Sequence, residues 1–135
     1  MQPAPPAGDA HGETILLIED EESVRRLATR ILQRSGYTVI AAPDGRAAID
    51  ICRGYSGAID LVMTDVVMPG LNGPDVVARL QRLRPGLRTL FVSGYTRDAI
   101  MEQGGFISSD VAFLEKPFSP TGLARKVREV LEDGE

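Results

Sequence analysis

The chain has 135 residues, 43% hydrophobic and 25% charged, with a net charge of −4; this is the balance of one soluble domain with a single buried core. The acidic excess argues against a nucleic-acid-binding face, and no apolar run approaches the roughly 18 residues of a membrane span. The N-terminal MQPAPPAG lacks the basic and apolar regions of a secretion signal. Cys52, the only cysteine, makes no internal disulfide, which fits a reducing cytoplasm. His11 is the only histidine, so a bound metal has to be held by oxygen.

In chain order, residues 1–12 are Pro, Ala and Gly with little to bury, and read as a flexible tail or linker before a domain over 13–135. Runs rich in Val, Ile and Leu then recur at 14–18, 37–42, 60–64, 87–92 and 111–114. They are nearly continuous in apolar character, as strands covered on both faces are. Between them come helical spacings. Val24, Leu27, Ala28, Ile31 and Leu32 form one stripe, with Arg25, Arg26, Arg30 and Arg34 elsewhere on the wheel. Ala47, Ala48, Ile51 and Cys52 form a weaker one; Val76, Val77, Leu80 and Leu83, and Leu123, Val127, Val130 and Leu131, form two more. Gly36 sits where a helix-ending glycine belongs, Asp44 where a helix cap does, and Pro74 and Pro120 where proline opens a helix. Residues 96–109 carry only a thin stripe interrupted by Gly104-Gly105, so a short or mobile helix is expected there. Five β–α units imply a doubly wound parallel sheet with helices on both faces.

Such sheets bind ligands at the carboxyl ends of their strands, where strand order reverses. The first strand delivers Glu19, Asp20 and Glu21 there, the third Asp65, the fourth Ser93 and the fifth Lys116. Singly, each has an ordinary use: Asp20 can cap a helix, Asp65 can cap a turn, and Lys116 can sit in solvent. If the order is 2-1-3-4-5, the first and third strands are neighbours and their carboxylates converge. Clustered carboxylates raise one another's pKa unless something positive joins them. Mg²⁺ fits, because it takes oxygen ligands and is held by one or two carboxylates. A carboxylate beside such an ion, an ammonium and a hydroxyl is equipped to receive a phosphoryl group.

On the acidic pair Glu19-Asp20, TDVVMPGLNG around Asp65, VSG at Ser93 and EKPF at Lys116, the sequence resembles the receiver domain of two-component response regulators. The resemblance runs from Glu13 to Glu132 and implies a flavodoxin-like (βα)5 fold of order 2-1-3-4-5. It implies Asp65 as the phosphoacceptor and Asp20 as a direct Mg²⁺ ligand, with Glu19 acting mainly through a metal-bound water. The backbone carbonyl of Val67 would be a further ligand, Ser93 the switch hydroxyl, Lys116 the invariant-type lysine and Phe113 the aromatic switch. It also implies a cis bond at Lys116-Pro117. Phosphorylation would shift the surface formed by residues 96–109, the fifth strand and the last helix, for which the thin 96–109 segment reads as permissive.

The expected donor is a phosphohistidine on a sensor histidine kinase or phosphotransfer protein, docked in part by the arginines of the first helix. His11 has no helical context for a relay role. Nucleic acid and direct membrane contact are not expected. A monomer is expected, with a phosphorylation-dependent dimer as the other state open to it. With no effector after the last helix, the contexts are a stand-alone regulator or a receiver within a larger protein. GETILLIEDEESVR, SGYT and VAFLEKPFSP resemble receivers of hybrid sensor histidine kinases and point to the second. Val67 and Tyr95, at positions that influence dephosphorylation in the family, are poorly suited to orienting water and imply slow self-hydrolysis. Two other classes compete: a Mg²⁺-dependent aspartyl-phosphate phosphohydrolase, which wants a second acid where Val67 stands, and an interaction module that is never phosphorylated.

Overall fold

Successive side chains of a strand point to opposite faces, and in this chain both sets are apolar, so each strand needs cover on two sides. The computed structural model describes residues 12–67, 72–96, 99 and 111–132. Its elements run β1 (Thr14–Ile18), α1 (Glu22–Arg34), β2 (Thr38–Ala42), α2 (Gly45–Gly54), β3 (Leu61–Asp65), α3 (Gly73–Leu83), β4 (Arg88–Ser93), β5 (Ala112–Glu115) and α4 (Pro120–Glu132). The strands form one parallel sheet in the order β2-β1-β3-β4-β5. Reversal of strand order between β1 and β3 brings their carboxyl ends side by side. The expected tail over residues 1–12 falls outside the described residues except for Gly12. The short helix expected over 96–109 does so except for Thr96 and Ala99.

One face of the sheet packs Ile15, Leu17, Leu61, Met63 and Leu90 against Ala28 and Leu32 of α1 and Leu123 and Val127 of α4. The other packs Leu16, Ile18, Val62 and Phe91 against Ala48 and Cys52 of α2 and Val76 and Leu80 of α3. Burying a side chain of this size contributes roughly 1.5–3 kcal/mol, so the central strands β1 and β3, buried along their whole length, anchor the molecule. Two residues expected on apolar stripes stay largely outside: Leu27 is 49% exposed and Leu83 is 41% exposed. A helix resting on a flat sheet buries a narrower strip than its apolar stripe spans, and both lie at the stripe's edge.

Helix ends follow the sequence signals. The Asp44 carboxylate accepts from Ala47 N–H at 2.8 Å. Asn72 accepts from Asp75 N–H at 2.9 Å ahead of Pro74, and Ser119 Oγ accepts from Gly122 N–H at 2.9 Å beside Pro120. Gly36 closes α1 with φ 98°, a left-handed conformation that suits glycine. Arg84, just past α3, donates to the carbonyls of Cys52, Tyr55 and Gly57 and so fastens the end of α3 to that of α2. The Lys116-Pro117 bond is cis.

Candidate functional site

Each strand is held in the sheet up to the residue that carries its polar side chain. Glu19 N–H donates to Ala42 O at 3.1 Å, extending β1 beyond its last apolar residue. Asp65 is itself the last residue of β3 and pairs with Val92. Val66 N–H then donates to Val92 O at 3.1 Å, and Lys116 N–H to Ser93 O at 2.8 Å. Rigid ladder positions, rather than free loops, therefore fix Glu19, Asp65, Ser93 and Lys116.

The Lys116 ammonium donates to Glu19 Oε1 at 2.8 Å and to Asp65 Oδ2 at 2.9 Å. This joins the ends of β1, β3 and β5. Glu19 and Asp65 are only 5% and 7% exposed, whereas Asp20 turns outward into solvent. One carboxylate oxygen from each of Glu19, Asp20 and Asp65 lies within 4.8 Å of the others. Ser93 is buried, and its Oγ accepts from Tyr95 N–H at 3.0 Å, which leaves the hydroxyl proton free to be donated. Val67 has a solvent-exposed side chain. Phe113, on β5, pairs with Phe91 and lies half-buried against the α2–α3 side of the core.

The two buried acids titrate in opposite directions. Burial pushes Asp65 up to about 7, and the neighbouring Glu19 carboxylate adds to the rise while Lys116 opposes it. Burial also works to raise Glu19, but the bonds from Lys116, Asp65 and Glu21 N–H outweigh it and hold Glu19 below the usual range. Burial would lower Lys116, yet its two carboxylate partners win and raise it. One ammonium thus serves two carboxylates, with the Asp20 carboxylate close by, and the shortfall of positive charge falls on Asp65. Oxygen donors from three side chains, an unmet negative charge and a solvent-facing Asp20 fit a small hard divalent cation.

The structure therefore brings together Glu19, Asp20, Asp65 and Lys116, and ties Ser93 to Lys116 through the backbone. It also reveals contacts that sequence spacing does not announce. Arg25, which reads as part of a solvated helix face, donates from Nη1 to the Glu19 carbonyl at 2.8 Å and braces the turn after β1. Asp20 does not cap α1: the residue at the cap is Glu21, without a side-chain cap bond, and the Glu19 carboxylate accepts Glu21 N–H at 3.1 Å. Gly73, at the start of α3, lies so close that a Cβ there would overlap the Asp65 carbonyl oxygen. The Asn-Gly-Pro run signals the helix start but not this contact.

A doubly wound sheet whose paired acids and bridging lysine meet at the strand-order reversal defines a class of flavodoxin-like signalling domains. The family profile described as "Response regulator receiver domain" matches residues 15–128. The chain belongs to that family and is a receiver domain of two-component signalling. It is 42% identical over 121 residues to the sensor kinase CckA of Brucella abortus (strain 2308), covering 88% of this chain and 12% of that protein. The crystal structure of the receiver domain from the hybrid histidine kinase CckA superposes with a TM-score of 0.73 at 36% identity, covering 87% of this chain and 98% of that one. The Vibrio cholerae chemotaxis protein CheY4 gives a TM-score of 0.76 at 26% identity, with 88% and 98% covered. The chain thus spans a small part of CckA, and about half of the transcriptional regulator YbdJ of Bacillus subtilis.

Proposed function

We propose that Asp65 accepts a phosphoryl group from a phosphohistidine on a sensor kinase or histidine phosphotransfer protein. The observation that carries this is the buried Asp65 carboxylate bonded to Lys116 in a pocket that also holds Glu19 and Asp20. An ionised Asp65 oxygen attacks phosphorus as the bond from phosphorus to the histidine nitrogen breaks. The electron pair goes to the departing imidazole, and the product is an acyl phosphate. Lys116 already donates toward Asp65 and can transfer that bond to a phosphoryl oxygen, while the Ser93 hydroxyl proton supplies a second donor.

Asp20, Asp65 and the Val67 carbonyl, with Glu19 behind them, are the groups that would hold Mg²⁺. Bound there, the ion would supply positive charge for the phosphoryl oxygens. Population of the active state then favours an inward Phe113 and a shifted surface over residues 96–109, β5 and α4. Arg26, Arg30 and Arg34 and the exposed Leu27 on α1 suit docking of the donor's helices. The likeness to CckA supports placement of this receiver, residues 13–135 behind a tail over 1–12, in a hybrid sensor kinase of the cytoplasm. Valine at 67 leaves a phosphohydrolase without its second acid.

Incubation with Mg²⁺ and acetyl phosphate, read by intact mass and peptide mapping, tests the reading. The expected product is one phosphoryl group on Asp65, absent from Asp65→Asn and absent in excess chelator. With Val67 and Tyr95 beside the site, the adduct outlasts a desalting step. Continuous phosphate release without an adduct would instead indicate a hydrolase, and no reaction an interaction module.

A further inference from the structure

On the sheet face away from α1, the outer surfaces of α2 and α3 carry two rows of arginines at helical spacing. Arg46 and Arg53 stand on α2, and Arg79 and Arg82 on α3. The rows border adjoining shallow concavities of about 310 and 340 Å³. Ile49 and Leu83 line the second of these; Ile49 is largely buried and Leu83 is 41% exposed.

Some guanidinium groups elsewhere are engaged, although those of Arg30, Arg34 and Arg125 also make no bond with a described residue. Arg25 and Arg84 bond backbone carbonyls, and Arg26 and Arg128 pair with glutamates. The side chains of Arg46, Arg53, Arg79 and Arg82 make no ion pair or hydrogen bond with any described residue. Asp50 lies four residues after Arg46, and Asp75 four before Arg79, a spacing at which helical charges commonly pair. Neither pair closes to ion-pair distance. Four unpaired guanidinium groups border an apolar strip in which Leu83 is the exposed member. The carboxylates of Asp50 and Asp75 lie among them, and the balance is still a local excess of positive charge on a chain of net charge −4.

We infer that the α2–α3 face docks an acidic amphipathic helix of a partner protein. A helix laid in the furrow between two packed helices can set an apolar side chain against Leu83 and Ile49. Its glutamates, three and four residues apart, then meet the arginine forks in bidentate pairs. The apolar strip selects against a phosphate backbone, which has nothing to place there, and the chain's overall negative field opposes nucleic acid further. A lipid surface calls for a broader apolar face than two side chains provide. Because α1 lies across the sheet, this partner and the phosphodonor bind together without competing.

The test uses the full ¹⁵N-labelled chain and a synthetic helical peptide with a leucine stripe flanked by glutamates, beside a twin with glutamine for every glutamate. The acidic peptide is expected to bind in the micromolar range, to shift amides of α2 and α3, and to weaken as salt rises. The Arg53→Glu/Arg79→Glu double variant is expected to bind about tenfold more weakly or less, with wild-type melting and wild-type acetyl phosphate labelling. Should that variant fold poorly, Arg53→Gln/Arg79→Gln is expected to weaken binding in the same direction. Equal binding by the glutamine twin, shifts confined to α1, or wild-type binding by a folded double variant would overturn the inference. It also fails if single-stranded DNA or phosphatidylglycerol vesicles bind through these arginines more tightly than the acidic peptide. A wild-type dimer that the double variant dissolves would make the occupant a second copy and overturn it too.

Discussion

Glu19 and Asp65 share Lys116, yet proton affinity divides them. Glu19 has a second donor in Glu21 N–H, and Asp65 has burial and a carboxylate neighbour. Asp65 holds its proton up to about pH 7 in the fold, against an ordinary value of 3.8. Between those values the native state binds more protons than the unfolded chain, so stability falls as pH rises. Glu19 acts oppositely, and its contribution is lost only as pH falls through a value below 4.5. In metal-free buffer, raising the pH from 5 to 8 should therefore cost the wild type on the order of 1–2 kcal/mol more than Asp65→Asn. Thermal melts at the two pH values measure the difference. Parallel losses in the two proteins would mean that Asp65 carries no electrostatic strain.

At the scale of elements, the site depends on the approach of α3 to the end of β3. Gly73 N–H donates to Val66 O at 2.8 Å, and the Gly73 Cα faces the Asp65 carbonyl without room for a methyl group. Gly73→Ala must displace either the start of α3 or Asp65, the proposed acceptor. The expected outcome is a loss of about 1–3 kcal/mol in denaturant unfolding, together with slower labelling by acetyl phosphate. Asn72→Ala, which removes only the cap, should cost about 1 kcal/mol and leave the labelling rate alone. Equal labelling rates for the two variants would separate Gly73 from the site. The central strands were legible because both faces are buried. The edge strands β2 and β5, only partly buried, were legible by their apolar composition. The bounds of four of the five strands differ from the apolar runs by a residue. β3, β4 and β5 each start and end one residue later than their runs, and β2 starts one later. An apolar reading stops at the first polar side chain, whereas the ladder continues through Asp65 and pairs Ser93 with Glu115. The clustering of polar side chains at the strand ends was legible; the contacts of Arg25 and Gly73 were not, since a backbone contact leaves no mark in side-chain chemistry.

The whole molecule assembles a charge arrangement that the unfolded chain lacks. Asp20 follows β1 and Asp65 ends β3, so only the folded topology places their oxygens within 4.8 Å. A cation bound there is bound to the native state alone, and its free energy adds to folding, by about 2.7 kcal/mol at a concentration one hundred times the Kd. Titration with MgCl2 should accordingly raise the melting temperature of the wild type, while matched ionic strength from NaCl should not. Asp20→Asn should lose most of that rise. Lys116→Ala sharpens the point, because it leaves Glu19 and Asp65 without their ammonium in a cluster of three carboxylates. Without metal it should melt below the wild type, and with Mg²⁺ it should recover more than the wild type gains, since the ion then replaces the missing positive charge. If Mg²⁺ raises all three proteins equally, it acts outside this pocket, and the carboxylates serve the fold without binding a cation.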